Sequence, residues 1–166
     1  MGYMFQSCSS LTDLTALSSW ETSKVTDMNS MFSGCYNLTN LAALSGWDTS
    51  KVTNMRFMFY NCSSLINLTP LSSWDTSSVA SISYMFSGCK SLTNLISLSG
   101  WDTAKVTDMS YTFAYCNNLI DSSAINDWDI LKVASFSRMF RNCPSHPTFT
   151  KRAGTWDSNG TFTPTS

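Results

Sequence analysis

The side chains with the most reactive chemistry are six cysteines: Cys8, Cys35, Cys62, Cys89, Cys116 and Cys143, each 27 residues after the one before. Thiols at fixed spacing suit three roles: a disulfide framework, a thiolate metal site, or packing with no chemistry at all. Stacked in register, neighbouring thiols would lie within disulfide range but point in parallel, whereas a bridge needs them turned toward each other. No C-x-x-C pair occurs and His146 is the one histidine, so a zinc-type donor set is lacking. Each cysteine stands three residues after a phenylalanine in MFQSC, MFSGC, MFYNC, MFSGC, TFAYC and MFRNC. In such apolar surroundings the cysteines read as buried free thiols, with bridging of some pairs as the alternative.

The remaining reactive groups follow the same logic. His146, in CPSHP beside Cys143, would be a base in a catalytic reading; between two prolines it reads as a turn residue. The acids Glu21, Asp48, Asp75, Asp102, Asp129 and Asp157 recur once per unit. An active site needs one special place, so this column reads as turn capping. A calcium site would need several oxygens per ion, and Lys24, Lys51, Lys105 and Lys132 flank the column. Thr22, Thr49, Thr76 and Thr103 form too thin a lattice for ice binding. No phosphate loop, HExxH motif or serine triad order is present. The chain reads as a non-enzyme without cofactor or metal.

What positions these residues is the 27-residue period itself. Trp20, Trp47, Trp74, Trp101 and Trp128 keep the same step. A period in this range is the signature of a solenoid or related array. Five units are followed by a sixth that decays after Cys143, and the fifth is already degenerate at Thr112, Ser122 and Ile130. Within a unit, Leu38, Leu41 and Leu44 suggest a strand. WDTSK (47–51) suggests a turn, and VTNM (52–55) a second short strand. Met55, Met58, Phe59 and Cys62 have helical spacing, so a single helix over 52–62 stays open. The Leu11/38/65/92/119, Val25/52/79/106/133, Met28/55–Ile82–Met109–Phe136 and Phe5/32/59/86/113/140 columns are apolar throughout and are the expected core.

The totals restrict function further. With 10 basic and 11 acidic residues, the chain has no basic face for nucleic acid. No apolar run approaches the ~18 residues of a membrane span. The start, Met1-Gly2-Tyr3, carries no signal peptide and runs straight into a repeat motif, which suggests a processed fragment and does not exclude secretion.

The unit L-T-x-L-x-x-L-S-x-W-D-T-S-K-V-T-x-M-x-x-M-F-x-x-C, over residues 4 to 143, resembles the BspA-like leucine-rich repeats. It is closest to the bacterial surface-protein repeat of about 26 residues known from Gram-positive bacteria and mycoplasmas. The resemblance implies a β-rich, leucine-rich-repeat-like solenoid with short helical turns: five 27-residue repeats over 1–143, and a C-terminal cap and linker start over 144–166. It also implies an extracellular, cell-surface module for adhesion to host mucin, glycan or matrix protein. The alternative is a spacer projecting another domain, with no ligand of its own; weak self-association is compatible with both. The variable residues that would bind are Phe57, Tyr84, Tyr111 and Arg138, which with Ser30 precede the Met-Phe pairs, and nearby Arg56, Tyr60 and Tyr115. Arg141, Tyr36 and Lys90 lie beside them. A second candidate is the polar strand face of Thr12, Asp13, Thr39, Asn40, Asn67, Thr93, Asn94 and Asp121.

Overall fold

The computed structural model describes residues 1–165. It overturns the expected β-rich, leucine-rich-repeat-like solenoid. Among the described residues the regular elements are five three-residue 3₁₀ turns (Thr15–Leu17, Ala42–Leu44, Thr69–Leu71, Ile96–Leu98, Ser123–Ile125) and two strands, β1 (Gly154–Trp156) and β2 (Phe162–Pro164). Neither strand lies in the repeats. The 38–44 segment closes as a 3₁₀ turn instead of extending. The VTNM stretch contributes only isolated parallel bridges, Asp27↔Asn54↔Ser81↔Asp108↔Ser135. The 55–62 segment is a run of turns and not a helix.

The reason lies in the backbone. Two residues per unit, four apart, take a left-handed conformation: Phe57 at φ 55° and Asn61 at φ 58°, Tyr84 at 59° and Gly88 at 79°. A right-handed helix cannot pass through such residues. The amides of Met55, Phe57, Phe59 and Asn61 instead donate to carbonyls of the next unit, Ser81, Ser83, Met85 and Ser87, at 2.7–3.1 Å, while Met58, Tyr60 and Cys62 close local turns. The four units from Met28 to Tyr115 repeat this alternation. The irregular backbone is therefore fully engaged without forming strands, as a buried backbone must be.

Side chains add three further ties between neighbouring units. The indole N–H groups of Trp47, Trp74, Trp101 and Trp128 donate to a leucine carbonyl 30 residues earlier, as from Trp74 to Leu44 and Trp101 to Leu71, both at 3.0 Å. The threonine column is structural: the Thr49, Thr76 and Thr103 hydroxyls donate to the Asp75, Asp102 and Asp129 carbonyls at 2.9 Å. Phe32, Phe59, Phe86 and Phe113 stack with ring centres 5.7 Å apart. The four apolar columns are buried, except that Phe5, Leu11 and Val25 of the first unit are half-buried.

At the other end, residues 145–152 bond to the fifth unit at Ser122, Asn126, Ile130 and Val133, in the place of the sixth unit, and the segment around Gly160 stands where a seventh would be. The Phe140 amide donates to the Gly160 carbonyl at 2.9 Å, and Trp156, Phe149 and Phe162 pack over Phe140 and Phe136. β1 and β2 pair antiparallel, Trp156 opposite Phe162.

The glycines differ in what they tolerate, and of Gly88 and Gly100 only Gly88 is left-handed. A Cβ on Gly88 would strike Asn61 Oδ1, whereas one on Gly100 meets nothing within 4 Å. Gly88→Ala is expected to cost about 1–3 kcal/mol. Gly100→Ala should stay within about 0.5 kcal/mol of the unsubstituted chain. Urea unfolding measures both, and equal midpoints would refute the assignment of strain to position 88.

Candidate functional site

The thiols are where packing places them. Cys35, Cys62, Cys89 and Cys116 are buried, and all six cysteines are free. Each thiol from Cys35 onward donates to the carbonyl of a phenylalanine 30 residues earlier, as from Cys62 to Phe32 at 3.2 Å and Cys89 to Phe59 at 3.3 Å. Burial pushes the Cys62 and Cys89 thiols far above their ordinary range and Cys35 up to about 11. Such thiols are inert. The Cys143 thiol points to the Phe113 carbonyl at 2.8 Å, while His146 lies against Trp156, ring centres 5.1 Å apart.

The acid column caps turns. Asp48 Oδ1 accepts both the amide and the hydroxyl of Ser50, at 3.0 and 2.6 Å. Asp75, Asp102, Asp129 and Asp157 accept the amides of Ser77, Ala104, Leu131 and Asn159. The hydroxyl bond of Ser50, then its amide, holds the Asp48 carboxyl below its usual value.

The polar strand face does not exist as a strand. Asp13, Asn40, Asn67, Asn94 and Asp121 are exposed, but each turns a side-chain oxygen onto the amide two residues on, at the start of a 3₁₀ turn. One acceptor oxygen of each is already engaged within the turn.

The residues before the Met-Phe pairs are a different case. Phe57 and Tyr84 stack with ring centres 4.5 Å apart, and Tyr84 and Tyr111 at 4.4 Å. Arg138 continues the row: its guanidinium donates to the Tyr111 hydroxyl at 2.5 Å and lies 5.7 Å from that ring's centre. Tyr60 meets Phe57 edge-on at 5.7 Å, and the Arg56 guanidinium is 5.9 Å from the Phe57 centroid. Burial of Tyr84, then the neighbouring Tyr111, raises the Tyr84 hydroxyl above its ordinary value. Six of the seven residues singled out in the sequence thus form one cluster on the surface. Tyr115 is outside it, in the second left-handed column, with the Arg141 guanidinium 5.8 Å over its ring.

Two features of this row escaped the sequence reading. Tyr3 stands in the same phase, before Met4-Phe5, and is 57% exposed; that motif was the signal for it. The second feature is that the whole row, Tyr3, Ser30, Phe57, Tyr84, Tyr111 and Arg138, is left-handed, with φ of 51–62°. The other left-handed column uses Gly34, Asn61, Gly88 and Asn142, residues suited to that conformation, at four of its six positions, with Ser7 and Tyr115 at the other two. Phe, Tyr and Arg are not suited to it, and each costs of order 1 kcal/mol.

A family model described as "Mycoplasma protein of unknown function, DUF285" matches residues 1–119 and 64–163. No curated protein matches the chain, and no solved structure does.

Proposed function

The chain belongs to the DUF285 family, and from that membership we propose that it is a non-catalytic repeat module of a bacterial cell surface, kin to the BspA-like surface repeats in sequence. Its role is adhesion, through extended weak contacts with host mucin, glycan or matrix protein. The observation that carries the reading is the row Phe57–Tyr84–Tyr111–Arg138. Bulky side chains occupy left-handed backbone in four successive units, where glycine or asparagine would be easier, and they stay at the surface. Strain of this kind collects at functional sites, and Tyr and Arg are favoured interface anchors. Stacking returns about 0.5–1.5 kcal/mol per ring pair, which offsets the strain but does not explain why aromatic residues occupy the row. The polar groups that repeat in every unit are engaged in turns, which supports a role without catalysis.

The test is binding to immobilised mucin. A Phe57→Asn/Tyr84→Asn/Tyr111→Asn variant removes the rings with a residue that tolerates the left-handed backbone. Its circular dichroism should match the unsubstituted chain while mucin binding falls by about tenfold or more. Undiminished binding would remove the row from the reading, and no binding by either protein would favour the spacer role.

A further inference from the structure

The aromatic row has one missing rung. Ser30 stands between Tyr3 and Phe57, at the same left-handed backbone position as both. Tyr84 covers one face of the Phe57 ring at 4.5 Å; on the other side the next residue of the row is a serine. A cleft of 610 Å³ opens at this point, lined among others by Tyr3, Asn29, Ser30, Asn54, Arg56 and Phe57. At the rise seen between the other rings, Tyr3 and Phe57 are two rungs apart, roughly 9 Å, which leaves room for one ring between them.

We infer that this gap is a subsite for a single pyranose ring carrying a hydrogen-bond-accepting substituent, such as an acetamido or carboxylate group. The inference rests on the adhesive reading for its biological setting but on the cleft alone for its chemistry. The half-buried Phe57 ring, which lines the cleft with the Arg56 guanidinium 5.9 Å from its centre, supplies a stacking platform. The rim supplies donors. The Asn54 side-chain oxygen already accepts the Arg56 amide at 3.2 Å, so its NH₂ group is what it offers a ligand. Asn29 donates its NH₂ to the Tyr3 hydroxyl at 2.6 Å and accepts from Ser30 Oγ at 3.2 Å, which leaves the Tyr3 O–H proton to be donated. The Arg56 guanidinium completes the set. An inserted apolar ring would strip water from these donors and return no acceptor, a net cost. A pyranose presents C–H faces to Phe57 and Tyr3 and oxygens to the rim, the usual combination of an apolar wall and a few placed polar groups.

Ser30→Tyr tests this by filling the rung. Tyr84 and Tyr111 already hold φ of 57–59° in the same row, so the variant should fold and its melting temperature should rise. Methyl β-N-acetylglucosaminide and methyl α-N-acetylneuraminide serve as probes in NMR titrations, with p-cresol standing for an aromatic side chain. At least one glycoside should shift the resonances of Tyr3, Arg56 and Phe57 in the unsubstituted chain. Ser30→Tyr should weaken that glycoside by about tenfold or more, and Arg56→Gln, which leaves the rung open, by about threefold. The proposal is overturned if neither glycoside binds, if both variants bind as the parent does, or if p-cresol takes the gap more tightly than either sugar. Mucin binding run in parallel separates the two readings. Mucin bound normally by Ser30→Tyr but lost in the triple asparagine variant keeps adhesion and overturns the subsite. Glycoside binding at the gap without mucin binding keeps the subsite and defeats the mucin reading.

Discussion

Phe86→Ala is expected to destabilise the chain by about 3–5 kcal/mol, while Phe5→Ala in the same column costs clearly less. Phe86 is fully buried and stacked between Phe59 and Phe113, each 5.7 Å away, with Trp101 at 6.2 Å. Its neighbours cannot close the void. The Phe86 amide is tied to the Thr112 carbonyl at 2.9 Å, and its own carbonyl receives the Cys116 thiol at 3.2 Å; the units on both sides are held at a fixed spacing by such bonds. The cost therefore includes an unrelaxed cavity as well as lost transfer energy. Phe5 has one stacked neighbour in the column, Phe32, and is half-buried. Urea unfolding followed by circular dichroism compares the two. Similar midpoint shifts for Phe5→Ala and Phe86→Ala would mean that the interior column is not packed as described.

The second large effect is with pH. Cys62, Cys89 and Cys116 are buried thiols whose desolvation raises them well above their ordinary range. In the unfolded chain they ionise near pH 8.5. The folded chain holds its protons longer than the unfolded chain, so stability is complete below that value and declines as pH rises above it. Well above pH 8.5 each thiol withdraws about 1.4 kcal/mol per pH unit; between pH 8.5 and 9.5, where the unfolded thiols are still ionising, the three together withdraw about 3 kcal/mol. Under reducing conditions the urea midpoint should fall steeply over that interval. In a Cys62→Ala/Cys89→Ala/Cys116→Ala chain the midpoint begins lower, because a sulfur's volume is lost at three places, but its pH slope is shallow. A flat profile in the parent would show that thiolates are accommodated in the interior and would sink the argument.

The sequence made the interior legible and the backbone illegible. A column that stays leucine, valine or phenylalanine through every unit has one explanation, burial, and the structure buries those columns. Turn capping by Asp48 and its equivalents was equally visible, because a carboxylate before Ser50 or Ser77 has a local amide to accept. The elements were misread because periodicity does not report on handedness. Met55, Met58, Phe59 and Cys62 have the spacing of a helical face, yet the same inward set arises from successive turns when residues 57 and 61 are left-handed. Gly34 and Gly88 are compatible with positive φ, but a glycine at the end of such a segment equally suits a helix stop; Phe57 and Tyr84 give no hint, since nothing in an aromatic side chain asks for positive φ. Leu38, Leu41 and Leu44 looked like a strand, but Asn40 accepts the Ala42 amide and draws the chain into a 3₁₀ turn. For the site, the row of variable residues was visible, but its stacking was not, because stacking depends on the spacing between units. The gap at Ser30 acquires meaning only beside intact rungs.

The ties between units have a mechanical consequence. Between the repeats they join a residue to one 25 to 30 positions away, so no bond spans more than a neighbouring unit. If tension is applied through the two ends of the chain, load is shared only across the outermost junction, and that junction yields first. Each unit that peels away releases a contour length of about 90 Å, and the remainder keeps its packing. The chain lengthens in discrete steps under load, and the row of rings is dismantled one rung at a time from its ends.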